Sequence, residues 1–80
     1  MSRKIVLPDG YYRDRLNIGS ERFIVEIRQA SGREVAIRCH WDSGVVSSWV
    51  DSRVELPAYR YRAISKEEAL VFLAKARLTR

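Results

Sequence analysis

Apolar and polar residues alternate through much of residues 4–64, and that period of two predicts strands. In Arg22-Phe-Ile-Val-Glu-Ile-Arg28, Phe23, Val25 and Ile27 point one way, while Arg22, Glu26 and Arg28 point the other. The pattern returns from Arg33 to Trp41. There Val35, Ile37, Cys39 and Trp41 share one face, and Glu34, Arg38 and His40 share the opposite one. The turn segment between these runs ends at Gly32, so the two form an antiparallel hairpin.

Asp42-Ser-Gly44 is a turn signal. Val45 to Leu56 carries β-formers interrupted by Ser47-Ser48 and Asp51-Ser52, which reads either as one strand with a bulge or as two short strands. Pro57 closes the stretch because proline cannot donate to a ladder. Tyr59 to Ile64 alternates again, with Tyr59 and Tyr61 on one face and Arg60 and Arg62 on the other. Near the N-terminus, Lys4-Ile-Val-Leu7 and Tyr11 to Leu16 flank the turn tripeptide Pro8-Asp-Gly10, as a second hairpin would.

The period then changes. Ser65-Lys-Glu-Glu68 has the spacing of a capping box, with the serine hydroxyl on a backbone N–H and Glu68 reaching back to the serine. Ala69, Phe72, Leu73 and Ala76 recur at helical spacing with Leu70 beside them, and the acidic start and basic end suit the helix dipole. The expected architecture is one α+β domain over residues 1–80: an antiparallel sheet of about four to five strands within 4–64, and one helix over about 66–78 packed on one face. The predicted core is Phe23, Val25, Ile27, Val35, Ile37, Trp41, Leu70, Phe72 and Leu73.

Eighty residues suit one small domain, and the 46% apolar fraction supports a folded chain rather than a disordered one. Cys39 is the sole cysteine, so no intrachain disulfide can form and a reducing, cytoplasmic setting is expected, including that of a host cell. No apolar run has the length of a secretory leader or of a membrane span, so neither is expected.

Candidate chemistry is thin. Cys39 and His40 are neighbours, but successive strand residues diverge to opposite faces, so a Cys–His dyad is not expected. Two ligands on opposite faces fall short of a zinc site, and the four glycines lie apart at turns rather than in a phosphate-binding loop. The chain is therefore read as a non-enzyme without metal or cofactor.

The formal charge of +5 is carried mainly by arginine, whose planar fork suits phosphates and carboxylates. Arg22, Arg28, Arg38, Arg60 and Arg62 are expected on the sheet face opposite the core, with His40 among them, as a cationic stripe for a phosphate backbone. Glu26, Glu34 and Glu55 are the anions that would balance them on a plain solvated face. Tyr11, Tyr12, Trp41, Trp49, Tyr59 and Tyr61 are candidate stacking platforms for single strands, with Trp41 and Tyr61 better placed in the core.

Strands followed by a helix opening Ser65-Lys-Glu-Glu-Ala69 resemble the double-stranded-RNA-binding domain, which implies a helix start that meets phosphates. Phe23 to Arg28 together with Glu67-Glu-Ala69 resemble the plant ethylene-response DNA-binding domain and the arm-binding domains of phage integrases. That likeness implies a three-stranded sheet in the major groove with a helix behind it. The chain departs from the first in lacking an initial helix and from the second in its long stretch from Asp42 to Pro57, and it is assigned to neither.

Nucleic-acid binding through the arginine face is the leading expectation. The alternative is a small phage or mobile-element protein that inhibits a host complex, in the manner of anti-CRISPR proteins, by engaging an acidic protein surface. A third reading is a homodimer formed through an edge strand.

Overall fold

A computed structural model describes residues 6–16 and 19–78 of the chain. Five strands and one helix follow in the order β1 (Gly10–Asp14), β2 (Phe23–Gln29), β3 (Glu34–Trp41), β4 (Val46–Ser52), β5 (Tyr61–Ile64) and α1 (Lys66–Leu78). The strands make one open antiparallel sheet in the order β4-β3-β2-β1-β5, and the fold is α+β.

The hairpin of β2 and β3 forms as the alternation predicts, with Phe23 opposite Trp41 and Ile27 opposite Ile37. Its loop closes by Ala30 N–H donating to Glu34 O at 3.0 Å and Glu34 N–H to Ser31 O at 2.8 Å. Gly32 sits there at φ 55°, in the left-handed region that favours glycine. The Val45 to Leu56 stretch resolves as one strand, β4, followed by a 3-10 turn over Arg53–Glu55.

Two expectations change. The N-terminal hairpin is not formed within the described residues, since residues 6–8 lie outside any strand; Lys4 and Ile5 fall outside the described residues. Pro8 has no N–H for a ladder, and Leu7 packs instead into the core, 9% exposed. β1 pairs with β2 on one side and β5 on the other. The strand expected from Tyr59 begins only at Tyr61, because Ala58–Arg60 is another 3-10 turn.

Directly opposed residues of an antiparallel pair share a face, which sorts the sheet into two sides. One side carries the main core: Tyr12, Phe23, Val25, Ile27, Val35, Ile37 and Cys39, joined by Leu7 and Leu56. Leu56 reaches it from the segment that crosses from β4 at one edge to β5 at the other, and it is 2% exposed. A salt bridge from Arg53 on that segment to Asp9 ties the crossing to the chain before β1, and Asp9 Oδ1 also accepts from Gln29 N–H at 3.1 Å.

The helix packs on part of the other side. Arg13 lies with its guanidinium 5.3 Å from the Phe72 ring centre, and Leu73 and Ala76 come beside His40 and Val46. Its capping is half of what the spacing predicts: Glu68 N–H donates to Ser65 Oγ at 3.1 Å, while the Glu68 carboxylate lies 3.8 Å from Arg13 Nε. Only Ala69 and Ala76 are buried; Phe72 and Leu73 are half-buried and Leu70 is 51% exposed. The small alanines let the helix lie close to the sheet, which leaves the larger residues at its flanks. Ile24, fully buried outside the main core cluster, belongs to this second contact.

Leu56→Ala is therefore expected to destabilise the fold by about 2–5 kcal/mol, and Leu70→Ala by no more than about 0.5 kcal/mol. Urea unfolding of both variants checks this. Equal losses would contradict the assignment of Leu56 to the core and Leu70 to the surface.

Candidate functional site

The expected arginine stripe separates into distinct groups. Arg28, Arg38 and His40 gather on the helix-bearing side around Glu26, which stands opposite both Tyr11 and Arg38 in the ladder. Arg28 Nε donates to Glu26 Oε2, and His40 Nε2 lies 2.9 Å from Glu26 Oε1. The Glu26 side chain is only 9% exposed. Burial alone would push its carboxyl upward. Hydrogen bonds from Arg28 and His40, with their charges, outweigh that and hold it below its ordinary value. Arg38 is exposed and has no carboxylate partner among the described residues.

Arg22 turns to the end of the sheet, where its Nε lies 3.1 Å from Asp42 Oδ2. Arg60 does not join the others at all. It lies in the 3-10 turn before β5 rather than in a strand, and it reaches the core side. There its Nε donates to Asp14 Oδ1 at 2.8 Å and its Nη2 to Asp14 Oδ2 at 2.6 Å. Arg62 stays on the helix-bearing side, but at the far edge, directly opposite Arg13. The sheet order is the cause: β5 pairs with β1, not β4, so three strand spacings, about 14 Å, lie between the lines of Arg62 and Arg38.

The end of the β1–β5 pair makes a cationic cleft of about 390 Å³ lined by Arg13, Asp14, Arg15, Glu21 and Arg62. Arg13 is held against Phe72 and donates to the carbonyls of Glu21 and Phe23, both at 3.3 Å. Arg15 is anchored by its backbone, whose N–H donates to Arg60 O at 2.7 Å, and its exposed side chain has no carboxylate partner among the described residues. Sequence reasoning missed Arg13 and Arg15. Their i, i+2 spacing in Tyr11 to Leu16 is the signal that could have found them, once β1 was taken as a central strand.

On the core side, the crossing segment leaves part of the apolar surface uncovered. A pocket of about 200 Å³ is lined by Phe23, Val25, Cys39, Trp41, Ser47, Trp49 and Tyr61, with the Asp14–Arg60 pair in its wall. Trp41 packs on Phe23 with ring centres 4.6 Å apart, and the Arg60 guanidinium lies 5.6 Å from the Tyr61 ring centre. Burial, reinforced by the Asp14 charge, pushes the Cys39 thiol up to about 11, so at neutral pH it stays protonated. His40 faces the other side of the sheet, beside Glu26.

Among the described residues no group of three or more His, Cys, Asp or Glu side chains is placed to hold a metal ion, and no helix is long and apolar enough to cross a membrane. Comparison with protein families, curated proteins and solved structures finds no match to this chain.

Glu26→Gln is expected to cost about 1–3 kcal/mol at pH 7 through its weakened charge-assisted hydrogen bonds. Because the folded carboxyl titrates below its unfolded value, the wild-type advantage is present above the ordinary carboxylate range and fades as pH falls through the folded pKa. Urea unfolding of both proteins at about pH 7 and about pH 3 reads the difference. A gap between the two proteins that persists unchanged at the lower pH contradicts this account.

Proposed function

We propose that this domain is a non-catalytic binder of nucleic acid that engages the phosphate backbone through exposed arginines of the helix-bearing side and the β1–β5 end. One observation carries the reading. Internal carboxylates take up Arg22, Arg28, Arg53 and Arg60. Arg15, Arg38 and Arg62, with Lys66, Lys75 and Arg77 on the helix, have no carboxylate partner among the described residues. Cations left over in this way are what a polyanion neutralises, and arginine's fork suits phosphate oxygens.

Anisotropy of labelled random oligonucleotides tests it. Affinity should fall on the order of ten- to a hundredfold between about 50 and 200 mM salt, as expected for about three neutralised phosphates. Substituting Arg15, Arg38 and Arg62 together by alanine should make the salt dependence shallower, by about one unit of slope for each phosphate that is no longer neutralised. Absence of binding at low salt would remove the proposal.

A protein partner is the second reading, favoured by the outer edge of β4. This edge strand has no Lys, Arg or Pro, the residues that commonly protect an open edge, and Trp49 and Val50 are 45% and 59% exposed. A second copy paired antiparallel about Trp49 would set Asp51 against Ser47, so no like charges meet. Sedimentation velocity at rising concentration should show a dimer that Val50→Lys dissociates. A monomer mass at every concentration rejects it.

A further inference from the structure

The uncovered pocket on the core side and the cationic cleft, whose Arg13 and Arg62 belong to the helix-bearing side, meet around the end of β1, where Asp14 lines both. Their chemistries differ in a way that matches one kind of ligand. At about 200 Å³ the pocket lies below the roughly 300–1,000 Å³ of sites that enclose drug-sized molecules, so it suits one ring system. Its walls are aromatic: Trp41 and Trp49, the only tryptophans in the chain, with Phe23 and Tyr61. Trp49, 45% exposed, leaves a planar face accessible from solvent.

The polar groups narrow the choice further. Asp14 is 3% exposed, accepts Arg60 on both oxygens and receives Leu16 N–H at 3.1 Å. A carboxylate already neutralised in this way does not attract a cationic ligand. Arg60 spends its Nε–H and one Nη2 N–H on Asp14, and guanidinium carries five donors in all, so the group presents donors to whatever enters. Beyond it, Arg15 and Arg62 supply positive charge in the adjoining cleft. The complementary ligand is a flat ring bearing acceptors, joined to an anion.

We propose that the pocket takes one unstacked base of a single-stranded nucleic acid, with the adjacent phosphate held by Arg15 and Arg62. This rests on the phosphate-binding reading above and deepens it, because it makes the domain selective for unpaired strands. Duplex bases are stacked and cannot enter, whereas a free strand offers π-faces to aromatic platforms.

The test compares a labelled single-stranded oligonucleotide with a duplex of the same sequence at low salt, following anisotropy and tryptophan fluorescence together. The expected result is tryptophan quenching by the single strand and tighter binding of it, by about tenfold or more. Trp49→Ala removes an accessible wall, and Ser47→Phe fills the pocket from β4 while keeping both tryptophans. Each should lower single-strand affinity about ten- to a hundredfold and leave duplex affinity unchanged. Equal binding of both forms without quenching, insensitive to both variants, overturns the base pocket while the phosphate reading stands. A mononucleotide that binds as tightly as the oligonucleotide also overturns it, because the site would then be one for a free small molecule. No binding of either nucleic acid overturns both readings at once.

Discussion

The passage from β4 to β5 constrains the rest of the domain. These strands occupy opposite edges of the sheet, four inter-strand spacings or about 19 Å apart. Residues 53–60 make the crossing, and two three-residue 3-10 turns take up most of that length. Such turns advance only about 2 Å per residue against about 3.3 Å in extended chain, and the registers set the two ends of the crossing, Ser52 and Tyr61, toward opposite ends of the strands as well. With almost no slack, it must run directly over the sheet. That path lowers Leu56 onto the core, brings Arg53 to Asp9 and delivers Arg60 to Asp14.

A short crossing cannot cover a whole face. It shields the part of the core around Leu7, Tyr12, Leu56 and Ala58, and leaves the pocket beside Phe23, Trp41 and Trp49 open. The opposite side is handled differently. The helix follows β5 directly and approaches through Ala69 and Ala76, burying Ile24 without making a second large core. Glu26 on this side, though buried, is tolerable because Arg28 and His40 satisfy both of its oxygens. Each face is thus half covered and half available, by different means.

What was legible in the sequence was local. The alternation of Phe23, Val25 and Ile27 against Glu26 and Arg28, the left-handed Gly32 and the helix start at Ser65 are short-range signals, and the hairpin and helix follow them. The position of β5 was not legible, because its partner β1 lies some fifty residues away in the chain and no periodicity encodes a long-range pairing. Arg60 was misplaced for a local reason: alternation grouped it with Arg62, whereas the 3-10 turn rotates it to the core side. On the helix, the spacing of Ala69, Phe72, Leu73 and Ala76 marked the face that meets the sheet, but the expected core took Leu70, Phe72 and Leu73 from it: Leu70 is exposed, and the two alanines are the buried residues. One signal on the sheet was available and unread: Ile24 is a large apolar residue on the supposedly polar side, and such a residue calls for a covering element.

The arginines divide by the same logic. Arg28, Arg53 and Arg60 meet carboxylates that the sheet and its crossing bring to them, so they serve the fold as donors to Glu26, Asp9 and Asp14. Arg15, Arg38 and Arg62 meet none among the described residues. In a chain with 15 basic and 10 acidic residues, such surplus cations repel one another and weaken a small fold. Arg62 directly opposite Arg13 is the clearest case, since like charges facing across a ladder are unfavourable; Arg13 itself is offset by the Glu68 carboxylate, 3.8 Å from its Nε, and by the carbonyls of Glu21 and Phe23. On the proposed function, an anion bound beside Arg62 would offset that repulsion, so part of what the surplus charge costs the free chain would return as binding energy.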